Sequence, residues 1–183
     1  MASLIAQLEA AGIADDTVIV IASDHYPYGL APSSTWETDV GYMEELYGEK
    51  MTECTRDQNA LIIWSGDIED KNITVDAPVY SLDILPTLSN LFGVPYDSRL
   101  FIGRDVFSES EPLVLWGMTG SWITEKCCYL ATNNTYTWAE GVEPDDDYIQ
   151  RMHAIVRNKI KFSRGISYYD YFDYVHKALE GTE

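Results

Sequence analysis

The stretch Thr17-Val18-Ile19-Val20-Ile21-Ala22-Ser23-Asp24-His25 decides how the chain is read. Six apolar or β-branched residues end in a small polar residue, a carboxylate and an imidazole. A continuous run of this kind is what a parallel strand covered on both faces looks like. Ligand sites in open α/β sheets gather beyond the carboxyl ends of such strands, so Asp24 and His25 stand where chemistry is expected. A hard oxygen beside an imidazole nitrogen suits zinc, manganese or iron. Taken alone, an Asp-His pair at a strand end is more often a turn, a cap or a surface pair.

Upstream of this strand, Leu4, Ile5, Leu8 and Ala11 recur at helical spacing, and Gly12 is a natural helix stop. Downstream, two prolines and a glycine between Tyr26 and Ser34 predict a loop, and Thr35 to Tyr47 a helix capped near Ser34 or Thr35. A second buried strand is expected at Ala60 to Trp64, and a helix at Leu82 to Phe92 ending at Gly93. After Gly103 the short apolar runs Pro112–Met118, Ser121–Thr124, Lys126–Ala131 and Tyr136–Ala139 read as an antiparallel meander. A helix through Arg151, Ile155 and Ile160 follows, then an aromatic helix from Ser167 to Leu179 after a break at Gly165. Its Tyr168, Tyr171, Phe172 and Val175 are expected to pack on the small sheet.

The 183 residues carry 12 Lys and Arg against 30 Asp and Glu, a net charge of −18, which opposes nucleic acid and anionic membrane surfaces as partners. No apolar run reaches the roughly 20 residues of a membrane helix, and the first residues lack the basic and apolar regions of a signal peptide. Glu143-Pro144-Asp145-Asp146-Asp147 reads as a solvated helix start, without EF-hand spacing. Cys54, Cys127 and Cys128 give neither metal spacing nor a disulfide framework, the count being odd. His153 and His176 read as helix-surface or core-edge residues.

The run Gly12 to His25 resembles the hallmark of sulfatases and their phosphotransferase relatives in the alkaline phosphatase superfamily, in which a late strand delivers Asp-His to the catalytic metal. Asn59 to Trp64, Tyr80 to Leu88, Leu91 to Val94 and Ile102 to Val106 resemble further motifs of that family in the same order. The later strands and terminal helices are similar to the lipoteichoic acid synthase-like phosphoglycerol transferases.

The resemblance implies an α/β fold: the C-terminal part of an alkaline phosphatase-like α/β/α sandwich over residues 1–107, then a small antiparallel sheet with C-terminal helices over 108–183. It implies that Asp24 and His25 are two ligands of a divalent ion, with manganese first and zinc, calcium or magnesium as other candidates. It gives Asp83 a capping or loop-holding role and Pro86-Thr87 the role of a packing turn. The family's nucleophile and first acidic ligand match no position here. The implied function is a fragment of an enzyme acting on anionic phosphate or sulfate esters, inactive alone, on the extracellular face of a bacterial cell membrane, the complete protein having a membrane span of its own. A homodimer through an exposed sheet face or edge is a further expectation. The alternative is a non-catalytic binding or assembly module that keeps the fold.

Overall fold

A computed structural model describes residues 1–26, 44–45, 48 and 51–180, with side chains at 69–71 left aside. The loop expected up to Ser34 lies outside these residues except at Tyr26, and the helix expected at Thr35 to Tyr47 except at Glu44 and Glu45. Two compact units divide the chain, Met1–Thr74 and Val75–Glu183.

In the first unit, helix α1 (Ala2–Ala10) carries the expected apolar spacing. It ends in a double hydrogen bond, from Gly12 N to Glu9 O at 3.0 Å and from Ile13 N to Leu8 O at 3.1 Å. Gly12 holds φ +68°, the left-handed conformation that this closure needs and that glycine adopts without a Cβ penalty. A turn fastened by the Thr17 hydroxyl on Ile13 O, at 2.7 Å, then launches strand β1 (Val18–Ile21).

Strand β1 pairs with β2 (Ile62–Ser65) with Val18 opposite Ser65 and Ile21 opposite Ile62. The pairing is antiparallel, and Val18, Ile21 and Ile62 are exposed. This corrects the reading of β1 as a parallel strand covered on both faces. An unbroken β-branched run reports strand propensity, whereas direction and cover are set by neighbours elsewhere in the chain. Gly66, just after β2, donates to Ala14 O at 3.2 Å. The approach is so close that a Cβ there would meet Ala14 C at 2.9 Å.

The second unit opens with a 3-10 turn (Ser81–Asp83) leading into helix α2 (Ile84–Leu91). Asp83 is buried, and its carboxylate accepts Tyr80 N at 3.1 Å and Arg104 N at 2.7 Å. Burial pushes its carboxyl above the usual aspartate range, against the pull of these two donors. Thr87 is fully buried, donates its hydroxyl to Asp83 O at 2.6 Å and accepts Val106 N at 3.1 Å. Asn90 Nδ2 donates to Asp105 Oδ2 at 2.7 Å. Gly103 runs so close to Leu82 that any side chain would fall inside the Leu82 carbonyl. Helix α2 and the Gly103–Val106 turn are thus one interlocked unit, with Asp83 in the loop-holding role and Pro86-Thr87 in the packing role that the sequence suggested.

Four short strands follow as an antiparallel meander in the order β3-β4-β5-β6: β3 (Val114–Leu115), β4 (Trp122–Ile123), β5 (Cys127–Leu130) and β6 (Thr135–Trp138). Helix α3 (Asp146–Tyr168) starts where Asp145 Oδ1 accepts Tyr148 N at 3.0 Å, an N-cap with Asp146 and Asp147 in the first turn. Tyr148, Met152 and Val156, four residues apart, lay one helix face on Leu113, Leu115, Trp122 and Cys127. This buried cluster lies wholly in the second unit, with Trp122 fully buried.

His153, on the same helix, accepts Trp122 Nε1 at 3.4 Å through Nδ1 and meets the Tyr136 hydroxyl at 2.9 Å through Nε2. Tyr129 completes an aromatic cage, its ring 4.5 Å from the His153 ring centre. This is the core-edge histidine of the sequence reading.

Two further expectations need correction. Helix α3 runs through Gly165; the break comes at Asp170, which holds φ +49° before helix α4 (Tyr171–Glu180). One glycine costs a helix only about 1 kcal/mol relative to alanine, too little to stop a 23-residue helix. The aromatic residues of this region do not pack on the small sheet: Tyr168, Tyr169, Phe172 and Tyr174 are exposed. Cys127 is a buried thiol. The expected mixed α/β class, with its small antiparallel sheet and C-terminal helices in order, is what the chain adopts.

Candidate metal site

Strand β1 ends at Ile21, and two residues later the chain turns. The Ser23 hydroxyl donates to His25 O at 2.6 Å, closing a short side-chain turn that puts Asp24 at its apex. Asp24 is therefore almost fully exposed, its side chain 90% accessible, while His25 is 45% accessible.

The imidazole is oriented by the main chain. His25 Nδ1 lies 2.6 Å from Tyr26 O. A carbonyl can only accept, so Nδ1 is the donor in this contact, and in the neutral form of the ring the lone pair is at Nε2. That nitrogen is 3.5 Å from Asp24 Oδ1. Zinc-class ions hold nitrogen and oxygen ligands at about 2.1 Å, which sets neighbouring donors about 3.4 Å apart in a tetrahedral shell. The pair therefore fits one edge of a coordination polyhedron. A histidine whose other nitrogen donates to a carbonyl is the usual arrangement of a metal-bound imidazole.

Among the described residues no group of three or more His, Cys, Asp or Glu side chains stands together as a metal cluster. Beside the loop, the Arg56 guanidinium lies 5.2 Å from the centre of the Tyr26 ring and pairs with Asp57 at 2.8 Å. The hydrogen bond to Asp57 raises the Arg56 pKa above its already high ordinary value.

The structure thus brings together the two residues singled out by sequence, Asp24 and His25. Asp83 serves its own buried network in the other unit. Sequence reasoning missed the Ser23 hydroxyl and the Tyr26 carbonyl, which shape the turn and fix the ring. A serine two residues before a histidine signals a side-chain turn; a main-chain acceptor leaves no sequence signal at all.

The chain is similar to known proteins over the span that contains this turn. The model of the Sulfatase family matches residues 1–94, a span that contains β1, Asp24, His25 and helix α2. The lipoteichoic acid synthases of Staphylococcus aureus strains USA300 and NCTC 8325 are each 30% identical over 130 residues, covering 67% of this chain. The chain spans 18% of the length of those relatives. Because the family match extends over more than half of the chain and includes the strand that presents Asp24 and His25, the protein belongs to the sulfatase family.

Proposed function

We propose that Asp24 and His25 are two ligands of a divalent cation, manganese first and zinc, calcium or magnesium next, in a sulfatase-family enzyme that transfers phosphoglycerol or cleaves phosphate or sulfate esters. The observation that carries this reading is the 3.5 Å separation of Asp24 Oδ1 and His25 Nε2, with Nδ1 held by Tyr26 O.

Each residue has a definite part. Asp24 supplies charge and a hard oxygen from an exposed apex, where ion and ester can both reach it. His25 supplies a neutral nitrogen whose direction is set before binding, since turning the ring away would break its bond to Tyr26 O. A bound divalent ion would lower the pKa of an attacking hydroxyl and neutralise the group being transferred. It would also put local positive charge where an anionic ester approaches a chain of net charge −18.

The nucleophile, a threonine in a transferase or a modified cysteine or serine in a sulfatase, and the remaining ligands come from outside these residues. The 183-residue chain alone is therefore inactive and binds the ion weakly. In this reading the complete enzyme works at the extracellular face of a bacterial cell membrane. Among the described residues no helix is long and apolar enough to cross a membrane, so an anchor would lie elsewhere in the complete protein. The exposed Ile21 and Ile62, paired across the strands on one face of the β1–β2 pair, are the surface through which a homodimer would form.

Titration calorimetry with manganese and zinc tests the site. The expected result is weak binding by this chain, much tighter binding by a longer polypeptide that includes the preceding family motifs, and loss of both on Asp24→Ala. An isotherm unchanged by Asp24→Ala would remove the metal assignment.

A further inference from the structure

An open groove of about 960 Å³ runs between the 3-10 turn Ser98–Leu100 with its continuation to Ile102 and the last turns of α3. Its floor is apolar, with Leu100, Phe101, Phe162 and Ile166, and Tyr168, Tyr169 and Tyr171 extend it toward α4. Four of the chain's 12 basic residues line it, Arg99, Lys159, Lys161 and Arg164, and none of its 30 acidic residues does.

These cations differ in what they leave over for a ligand. Arg99 is neutralised by Asp97 at 2.6 Å. Lys159 donates to Ile102 O at 2.7 Å and also feels the buried Asp83 carboxylate, whereas Arg164 donates to Gly117 O at 2.8 Å, a neutral carbonyl that leaves its charge uncompensated. Lys161 and Arg164 are exposed and three residues apart, so they stand on one face of α3, beside Phe162. The apolar surface continues past the groove through the exposed Tyr168, Tyr169, Phe172 and Tyr174. Asp170 and Asp173 interleave with that extension, so the combination of tyrosine, phenylalanine and arginine without carboxylates, which is the composition of protein-docking surfaces, is confined to the groove lining.

We propose that this groove docks a short amphipathic segment of a partner protein, with apolar anchors on the aromatic floor and carboxylates facing Lys161 and Arg164. The charge of the whole chain discriminates between occupants. A net −18 repels extended polyanions such as nucleic acid or an anionic bilayer, which approach over a wide front. A segment with a few carboxylates feels chiefly the charges within a Debye length, about 8 Å at physiological salt, and there the groove is positive. Tyrosine and phenylalanine anchors lose little side-chain freedom on contact, which favours them as a docking floor.

The test uses the full 183-residue chain and fluorescent synthetic peptides that place leucine and phenylalanine at helical spacing, with glutamate at every other position in one and lysine in the second. Fluorescence anisotropy should show the glutamate peptide binding at least roughly tenfold tighter than the lysine peptide. Lys161→Glu should erase that preference, and Phe162→Ser should weaken both peptides, with thermal unfolding showing that each variant is folded. Equal binding of the two peptides, binding of neither, or a preference untouched by Lys161→Glu overturns the proposal. Flotation of the chain with phosphatidylglycerol vesicles, abolished by Lys161→Glu, would overturn it in favour of a membrane surface.

Discussion

The two units divide the molecule's work. The first holds Asp24 and His25 on an exposed turn after a strand pair whose Val18, Ile21 and Ile62 face solvent. The second holds every buried apolar side chain among the described residues, from Pro86 to Val156. Residues that would meet an ion must be accessible, so the site gives up burial; residues that hold the small sheet on α3 must exclude water, so they give up chemistry. Stability and function should therefore separate when they are mutated.

The largest effect should come from Trp122→Ala. It empties the centre of the buried cluster and removes the donor to His153, at a cost of about 3–5 kcal/mol. Chemical denaturation would measure the loss, and a cost below about 1 kcal/mol would show that the core is not where the burial suggests.

Asp83→Ala comes next. The main-chain N–H groups of Tyr80 and Arg104 would lose their carboxylate acceptor, for about 2–4 kcal/mol in all. Metal binding should be unchanged, and a variant that lost it would place Asp83 in the site after all.

A smaller effect follows pH. Burial holds the His153 pKa below the usual histidine value, with Arg157 acting in the same direction. The folded state thus binds fewer protons here than the unfolded state in the window between the lowered value and about 6.5. This contribution to stability is complete above that window and is lost as pH falls through it. The slope should be read as the difference between wild type and His153→Gln in denaturation midpoints from pH 8 to 5.5, so that the many carboxylates cancel. Parallel pH profiles would mean that the cage does not resist protonation.

The smallest effect belongs to Asp24→Ala, an exposed change expected to shift stability by less than about 0.5 kcal/mol while removing metal binding. A large loss of stability would break the division between the units.

What could be read in the sequence was local. The stop at Gly12, the helix from Leu82 and the strand that presents Asp24-His25 depend on residues close together in the chain, whereas the roles of Asp83 and Thr87, which bind Arg104 and Val106 about twenty positions away, came from the family motifs. Contacts across the chain were not legible. The antiparallel partner of β1 lies some forty residues away, and helical spacing shows which face of α4 is aromatic but not what covers it. His153 meets Trp122 31 positions away and Tyr136 17 away, separations at which no pattern survives. The end of α3 was misplaced because a glycine marks a possible break, whereas the actual break required a residue held in the left-handed region at Asp170.

The acceptor that fixes the His25 ring is a peptide oxygen of Tyr26, and every amino acid carries that oxygen. Position 26 can therefore change its side chain without erasing the instruction it gives to its neighbour. A scan of side-chain substitutions would score Tyr26 as silent in tautomer choice, although its backbone selects which nitrogen would face an ion. Only a change that reorients or removes that carbonyl, such as a backbone ester or a turn of different geometry, would expose its part in the site.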